Sequence, residues 1–251
     1  VNALPATEFL GRPHSGRVFS LASKVRLGDV DPGALMRFDS IARALQDVAT
    51  DDASDAGLDR RFGWLVRRTL IDVSEPPRLG ESIDVVTWCT AIGPAWAERR
   101  SQIVGERGAL VDAVSLWVQV DVETGRPARI ADDFRNAYGV AADGRSVSAR
   151  LLLDGPTDSS GSSWHTRATD FDPYGHVNNA ATWAFVEEHA ALGDRRGRAE
   201  IEYLRPIEAG VEIRIVGSVR TGDAARQPSP FDAWLMDAHG VTTAARWRPA
   251  R

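Results

Sequence analysis

The sequence predicts an α+β protein made of two copies of one unit, each a helix laid against antiparallel strands. Three observations predict it. Asp29-Val30-Asp31-Pro32-Gly33 recurs, with one extra residue, as Asp170-Phe171-Asp172-Pro173-Tyr174-Gly175, and both copies precede a helix-like run. Ile71–Val85 and Ile201–Ile215 align without a gap, matching Ile71 with Ile201, Pro76 with Pro206, Gly80 with Gly210 and Ile83 with Ile213. Two matched segments in the same order favour duplication. Finally, one apolar-faced helix followed by a run of strands in each half suggests a helix packed on a sheet.

In chain order, Arg17–Leu27 predicts a strand and Ala34–Thr50 a helix. Leu35, Phe38, Ala42, Leu45 and Ala49 recur at spacings of three and four and give that helix one apolar face. Phe62–Val73, Ser82–Ile92, Ala95–Val104 and Leu110–Val122 read as strands, broken by Pro77, Gly80, Gly93, Pro94, Gly105 and Gly108. In the second half Ser163–Thr169 reads as a strand and Asn178–Ala191 as a helix. Strands follow at Ala199–Tyr203, Val211–Val219, Phe231–Asp237 and Val241–Arg248. Between the halves Gly139–Ser163, rich in Gly, Ser, Asp and Ala, reads as a linker with a short strand at Leu151–Leu153. The expected division is therefore 1–138, a linker at 139–162, and 163–251.

The 251 residues suffice for one large or two small domains, and 43% apolar content supports a sizeable core. Cys89 is the one cysteine, so no disulfide can form within the chain, which fits a reducing compartment. The net charge of −5 argues against general nucleic-acid binding. No stretch approaches the length of a membrane span, and Val1–Leu10 lacks a basic start followed by an apolar run. These features predict a soluble cytoplasmic protein.

Two stretches resemble the acyl-ACP thioesterases of plants and bacteria. From Trp64 to Ile103 the chain carries a W-x-x-x-R … P-x-x-G-[DE] … T-W … R-R pattern: Trp64 and Arg68, Pro77 to Glu81, Thr87-Trp88 and Arg99-Arg100. From Asp170 to Glu188 it carries D-x-D-x-x-x-H-V-N-N … E. The resemblance covers roughly 18–122 and 163–247. It implies a tandem, or double, hotdog fold, in which each half wraps a long helix in an antiparallel sheet. It implies hydrolysis of fatty acyl thioesters carried on acyl carrier protein or coenzyme A, with no cofactor and no metal. It also implies an acyl-chain slot in the first half, for which Met36, Phe38, Trp64 and Val66 are the candidates.

Thioester hydrolysis needs an activated water or a nucleophile, and a group that stabilises the tetrahedral oxyanion. A carboxylate such as Asp172 can be base or nucleophile. His176 can orient a water or donate to the leaving sulfur. Asn178 and Asn179 stand where the second helix is expected to begin, and free N–H groups there make an oxyanion hole. The catalytic candidates are thus Asp172, His176 and Asn178. Each also has a structural reading: a turn for Asp172, a buried histidine for His176, an N-cap for Asn178. Asp31 holds the matching place in the first half with Leu35 or Met36 instead of a histidine, so that half is expected to lack chemistry. Cys89 reads as a small core residue.

The chain departs from the family at Tyr174, where plant members carry a catalytic Asn. It departs again at Pro206 and Ile207, which align with the family's Glu-Cys pair after Tyr203-Leu204-Arg205. Glu208 lies near, and Glu188 matches a helix Glu that can support His176. These departures motivate an alternative reading as a non-catalytic acyl-binding or regulatory protein. A hotdog enoyl hydratase is disfavoured, because its Asp and His stand five apart, whereas Asp172 and His176 are four apart and Asp170 and His176 six. Acidic carriers call for a local basic patch, with Arg67, Arg68, Arg99, Arg100, Arg195, Arg196 and Arg198 as candidates. The assembly is left open between monomer and homodimer.

Overall fold

The computed structural model describes residues 9–58, 61–157, 161–189, 195–217 and 230–250. The first half contains β1 (Val18–Lys24), α1 (Phe38–Asp55), β2 (Phe62–Glu75), β3 (Ser82–Ile92), β4 (Trp96–Gly105) and β5 (Leu110–Asp121). After α2 (Asp132–Ala142), the second half repeats the order as β6 (Gly161–Trp164), α3 (Thr182–His189), β7 (Gly197–Tyr203), β8 (Ile213–Gly217), β9 (Phe231–Asp237) and β10 (Gly240–Pro249).

These strands form one ten-stranded sheet, ordered β1-β3-β4-β5-β2-β7-β10-β9-β8-β6. The order is palindromic about the antiparallel β2–β7 seam, where Leu70 faces Glu200, Thr69 faces Ile201 and Ile71 faces Ala199. Exchanging the halves converts the second of these pairs into the third. A pseudo-twofold axis therefore passes between Leu70 and Glu200. Each half is a hotdog unit, and the α+β tandem hotdog expected from the sequence is the observed fold.

The local hydrogen bonds repeat with the same exactness of register. Met36 N–H donates to Pro77 O at 2.8 Å, and Val177 N–H to Ile207 O at 2.9 Å. Gly80 and Gly210 both turn left-handed, at φ 77° and 78°, where a side chain would be strained. One alignment is corrected. Val30 bridges Met36 and Phe171 bridges Val177, so the two loops have equal length and no extra residue. Gly33 thus corresponds to Tyr174, Leu35 to His176, and Ala34 (φ 63°) to Gly175 (φ 81°).

The first helix begins at Phe38 and the second at Thr182, each four residues later than expected. In both halves the preceding residues are drawn into an extended bridge with the turn after β2 or β7, as Leu35 pairs with Arg78 and His176 with Glu208. Those backbone groups are committed before the helix can start. The buried face of α1 is Phe38, Ser40, Ile41, Ala42, Leu45, Val48 and Asp52; it keeps Phe38, Ala42 and Leu45 of the expected face, while Leu35 precedes the helix and Ala49 is half-buried. It shares one core with Trp183, Phe185 and Trp247 of the second half.

The segment expected to be a linker is partly helical. α2 buries Phe134 and Tyr138, and it packs against β3. Tyr138 Oη donates to Asp52 Oδ2 at 2.9 Å, and the fully buried Asp52 also pairs with Arg17 and Arg99. That polar knot holds a helix whose apolar pattern is too short to read alone. No strand forms at 151–153; Leu153 N–H instead donates to Glu202 at 3.0 Å.

Candidate active site

The loop from Asp170 to Ala180 is built by its own side chains. Asp172 Oδ1 accepts from Tyr174 N–H at 2.9 Å and His176 N–H at 3.2 Å. Asp172 N–H donates to His176 O at 2.8 Å, closing the turn. One carboxylate oxygen is thereby anchored, and Oδ2 accepts no hydrogen bond from a described residue. Asn178 N–H donates to Asp170 O at 2.7 Å, while Asn178 Oδ1 accepts from Ala180 N–H at 2.8 Å. The amide next to it, Asn179 N–H, donates to no described residue. The expected oxyanion donor at Asn178 is thus committed to the fold, and the free N–H is one residue on.

The equivalent loop of the first half is closed by an ion-pair network. Asp31 Oδ1 accepts from Leu35 N–H at 3.0 Å, like its counterpart, but Asp31 Oδ2 receives Arg195 Nη1 at 2.7 Å. Arg195 also donates from Nε and Nη2 to Glu187 Oε1 at 2.8 and 2.7 Å. Glu187 Oε2 in turn accepts Phe38 N–H, the equivalent of Asn179 N–H, at 2.9 Å. Burial pushes the Glu187 carboxyl up, with Arg195 opposing. For Asp31 burial would do the same, but Arg195 and the loop amides outweigh it and hold the carboxyl below its ordinary value.

The two dyad-related clefts beside these loops differ in kind. In one, Phe38 stacks on Trp183 with centroids 5.7 Å apart and meets Trp247 edge-on at 5.7 Å. The register makes Asn179, Ala42 and Ser115 the equivalents of Phe38, Trp183 and Trp247. All three line a narrow cavity of about 20 Å³ between the halves, walled also by Leu45, Gln46, Val66, Thr69, Trp117, Ala180, Trp183 and Tyr203. Three aromatics fill one cleft, and three small or polar residues leave the other open. In the open cleft Gln46 stands where Glu187 stands in the filled one.

Of the residues expected to hold the acyl chain, Val66 lines this cavity. Met36 is buried in the shared core without lining it. Phe38 fills the opposite cleft. Trp64 packs on Phe134 of α2, centroids 4.8 Å apart. Sequence reasoning missed Gln46, Thr69, Ser115 and Trp117, while Asn179 was named beside Asn178 for its free N–H. The signal was present in the repeat, as Ser115 against Trp247 and Gln46 against Glu187.

Asp172 and His176 are half-buried on one loop, and Tyr174 between them is 80% exposed. Glu208 is placed opposite His176. Glu188 lies elsewhere, in a groove with His165, Arg167 and Asp170. The family's Glu-Cys positions are structural here: Pro206 is exposed, and buried Ile207 gives its carbonyl to Val177. Most of the expected basic patch is also consumed. Arg68, Arg99, Arg100 and Arg195 are buried beside Glu200, Asp52, Asp112 and Glu187, and Arg198 pairs with Asp72. Burial holds the Cys89 thiol up at about 11, as for an inert core residue. No group of three or more His, Cys, Asp or Glu among the described residues could hold a metal, and none of the described helices is long and apolar enough to cross a membrane.

Comparison with known proteins places these features in a family. The model of the acyl-ACP thioesterase N-terminal domain matches residues 16–138, and that of the C-terminal domain matches 154–241. An uncharacterized protein of Mycobacterium tuberculosis is 32% identical over 209 residues, covering 81% of this chain and 84% of that one. The chloroplastic oleoyl-acyl carrier protein thioesterase 1 of Arabidopsis thaliana is 25% identical over 65% of this chain, a match that spans about half (52%) of the plant protein. A putative oleoyl thioesterase from Lactobacillus plantarum superposes with a TM-score of 0.75 at 19% identity, covering 95% of this chain and 98% of that one. The 12:0-ACP thioesterase of Umbellularia californica superposes with a TM-score of 0.71 at 23% identity, covering 93% and 98%.

Proposed function

The chain belongs to the acyl-ACP thioesterase family and is a thioester hydrolase; we propose that it hydrolyses fatty acyl thioesters at a single site, the open cleft beside the Asp172 loop. The observation that carries this reading is the exchange of Phe38, Trp183 and Trp247 for Asn179, Ala42 and Ser115 across the dyad. Of two equivalent clefts, one has space and a free N–H at Asn179, in the turn that leads into α3.

The filled cleft also supplies a template for the reaction. There a guanidinium and a carboxylate bridge the gap from Asp31 Oδ2 to Phe38 N–H. In the open cleft the same gap, from Asp172 Oδ2 to Asn179 N–H, holds a water and the thioester carbonyl. Two bridging groups fit a carboxylate acting through water better than direct attack, so Asp172 is the general base. Water adds to the carbonyl carbon, its proton passes to Asp172, and the oxygen becomes an oxyanion held by Asn179 N–H. The C–S bond then breaks, and the thiolate takes up the proton. His176, whose imidazole makes no hydrogen bond to a described residue, orients the water. Asn178 keeps Asn179 N–H available by capping Ala180. The acyl chain enters between α1 and β2, along Val66 and Leu45. This divides the labour between a first half that holds the chain and a second that carries the chemistry, with acyl carrier protein or coenzyme A as the carrier.

Thiol release from acyl-ACPs and acyl-CoAs of graded length tests this reading. Turnover is expected, and Val66→Phe should shorten the preferred chain. No thiol release from any acyl thioester would leave the acyl-binding reading in its place.

A further inference from the structure

The open cleft has a polar floor that a plain hydrocarbon chain does not need. Trp117 lines it, and the Trp117 indole Nε1–H is buried without an acceptor. The indoles of Trp88 and Trp247 share that state, but they do not line the cavity. Thr69 Oγ1 and Ser115 Oγ lie 3.1 Å apart, on adjacent strands at the same level of the sheet. Each hydroxyl has one proton and their mutual bond uses one, so the pair keeps a donor. The half-buried Gln46 amide adds two more and makes no hydrogen bond to a described residue, but the buried donor without an acceptor is the Trp117 indole. A buried donor without an acceptor is costly, and such groups mark positions where a ligand or water atom belongs.

This floor is not the oxyanion site. Ser115 corresponds to Trp247, whose ring reaches Phe38, the equivalent of Asn179, across the filled cleft. The two rings meet with centroids 5.7 Å apart, so Ser115 and Asn179 are separated by about the combined reach of an indole and a phenyl side chain, a gap that a hydrogen bond at each end and a few carbon atoms between them can span. The cavity volume of about 20 Å³ admits one water-sized group.

Resting on the hydrolase reading, we propose that Trp117, Thr69, Ser115 and Gln46 form a subsite for an oxygen atom on the acyl chain, a few carbons from the thioester. The substrates favoured by this site are acyl thioesters with a hydroxyl or keto oxygen there, as in 3-hydroxyacyl and 3-oxoacyl groups. Saturated chains leave the donors unpaired and are disfavoured.

Binding of thioether analogues tests the proposal apart from catalysis. Acyl carrier protein loaded with decyl and 3-hydroxydecyl thioethers has no thioester carbonyl, so any preference reports the chain oxygen. The 3-hydroxydecyl form is expected to bind about tenfold tighter, the effect of one buried hydrogen bond. Trp117→Phe, and separately Thr69→Val with Ser115→Ala, should each bring the ratio within about twofold of one. The second variant keeps the test intact if the first does not fold. A wild-type ratio near one, meaning that the floor holds only a water, overturns the proposal. So does a ratio that survives both changes. Decanoyl-ACP hydrolysis is followed in parallel. Its absence together with that of 3-hydroxydecanoyl-ACP hydrolysis would remove the hydrolase reading, while the binding ratio would still decide the subsite.

Discussion

The Asp31 and Asp172 loops share a backbone and differ in what meets it. Both close a turn on an aspartate Oδ1, both bridge to the turn after the next strand, and both lead into a helix. At Asp31 the second carboxylate oxygen is neutralised by Arg195, and the helix-end amide is capped by Glu187. At Asp172 both positions are open. On the proposed reading, the reactive site is a stabilising arrangement from which the stabilising partners are missing.

The largest effect should come from changing the two aspartates in parallel. Asp172→Asn keeps the shape and removes the base, so kcat should fall by about 10²–10⁴-fold with the circular dichroism unchanged. Asp31→Asn should leave kcat within about twofold. Equal losses, or full turnover in Asp172→Asn, would erase the distinction between the loops. Next comes Arg195→Met, which leaves Glu187 and Asp31 without a counter-ion at a buried boundary between the halves. Breaking such a pair costs about 3–5 kcal/mol. Urea unfolding should show a loss of that order, and a loss under 1 kcal/mol would mean the network contributes little. His176→Ala should lower kcat by about tenfold, less than the loss of the base. If it matches Asp172→Asn, the imidazole handles the leaving-group proton as well.

The smallest effect is on acid stability. The Asp31 carboxyl is held below its ordinary value of 3.8, because Arg195 and the loop amides outweigh burial. Its stabilisation is therefore present above the unfolded value and disappears as pH falls through the lower folded value. Asp31→Asn should flatten the acid limb of a stability-against-pH curve. An acid limb identical to that of the unchanged protein would put the pairing of Asp31 in question.

Much of this molecule is legible in its sequence because its repeats are local. The strands at Ser82–Ile92 and Phe231–Asp237 follow from alternation between turn residues, and the match of Gly80 with Gly210 appears as two left-handed turns. Helix starts are harder, since Leu35 and His176 are captured by partners about 30 to 45 residues away. α2 is held by a contact to Asp52 from 86 residues off, which no local pattern announces. The expected acyl-slot residues are the clearest case. Phe38 and Val66 are both apolar and buried, and nothing local says that one fills a cleft while the other lines one. That difference becomes visible when Phe38 is set against its dyad mate Asn179.

The β2–β7 seam also has a consequence for how such a molecule can change. If two identical subunits met along that seam, every substitution would appear in both clefts at once, and filling one with Trp247 would fill the other. Joining the copies in one chain releases them from sharing mutations. One cleft can then accumulate aromatics and ion pairs that raise the stability of the whole, and the other can lose them. The asymmetry between Trp247 and Ser115 is open only to a protein whose halves are inherited together but mutate separately.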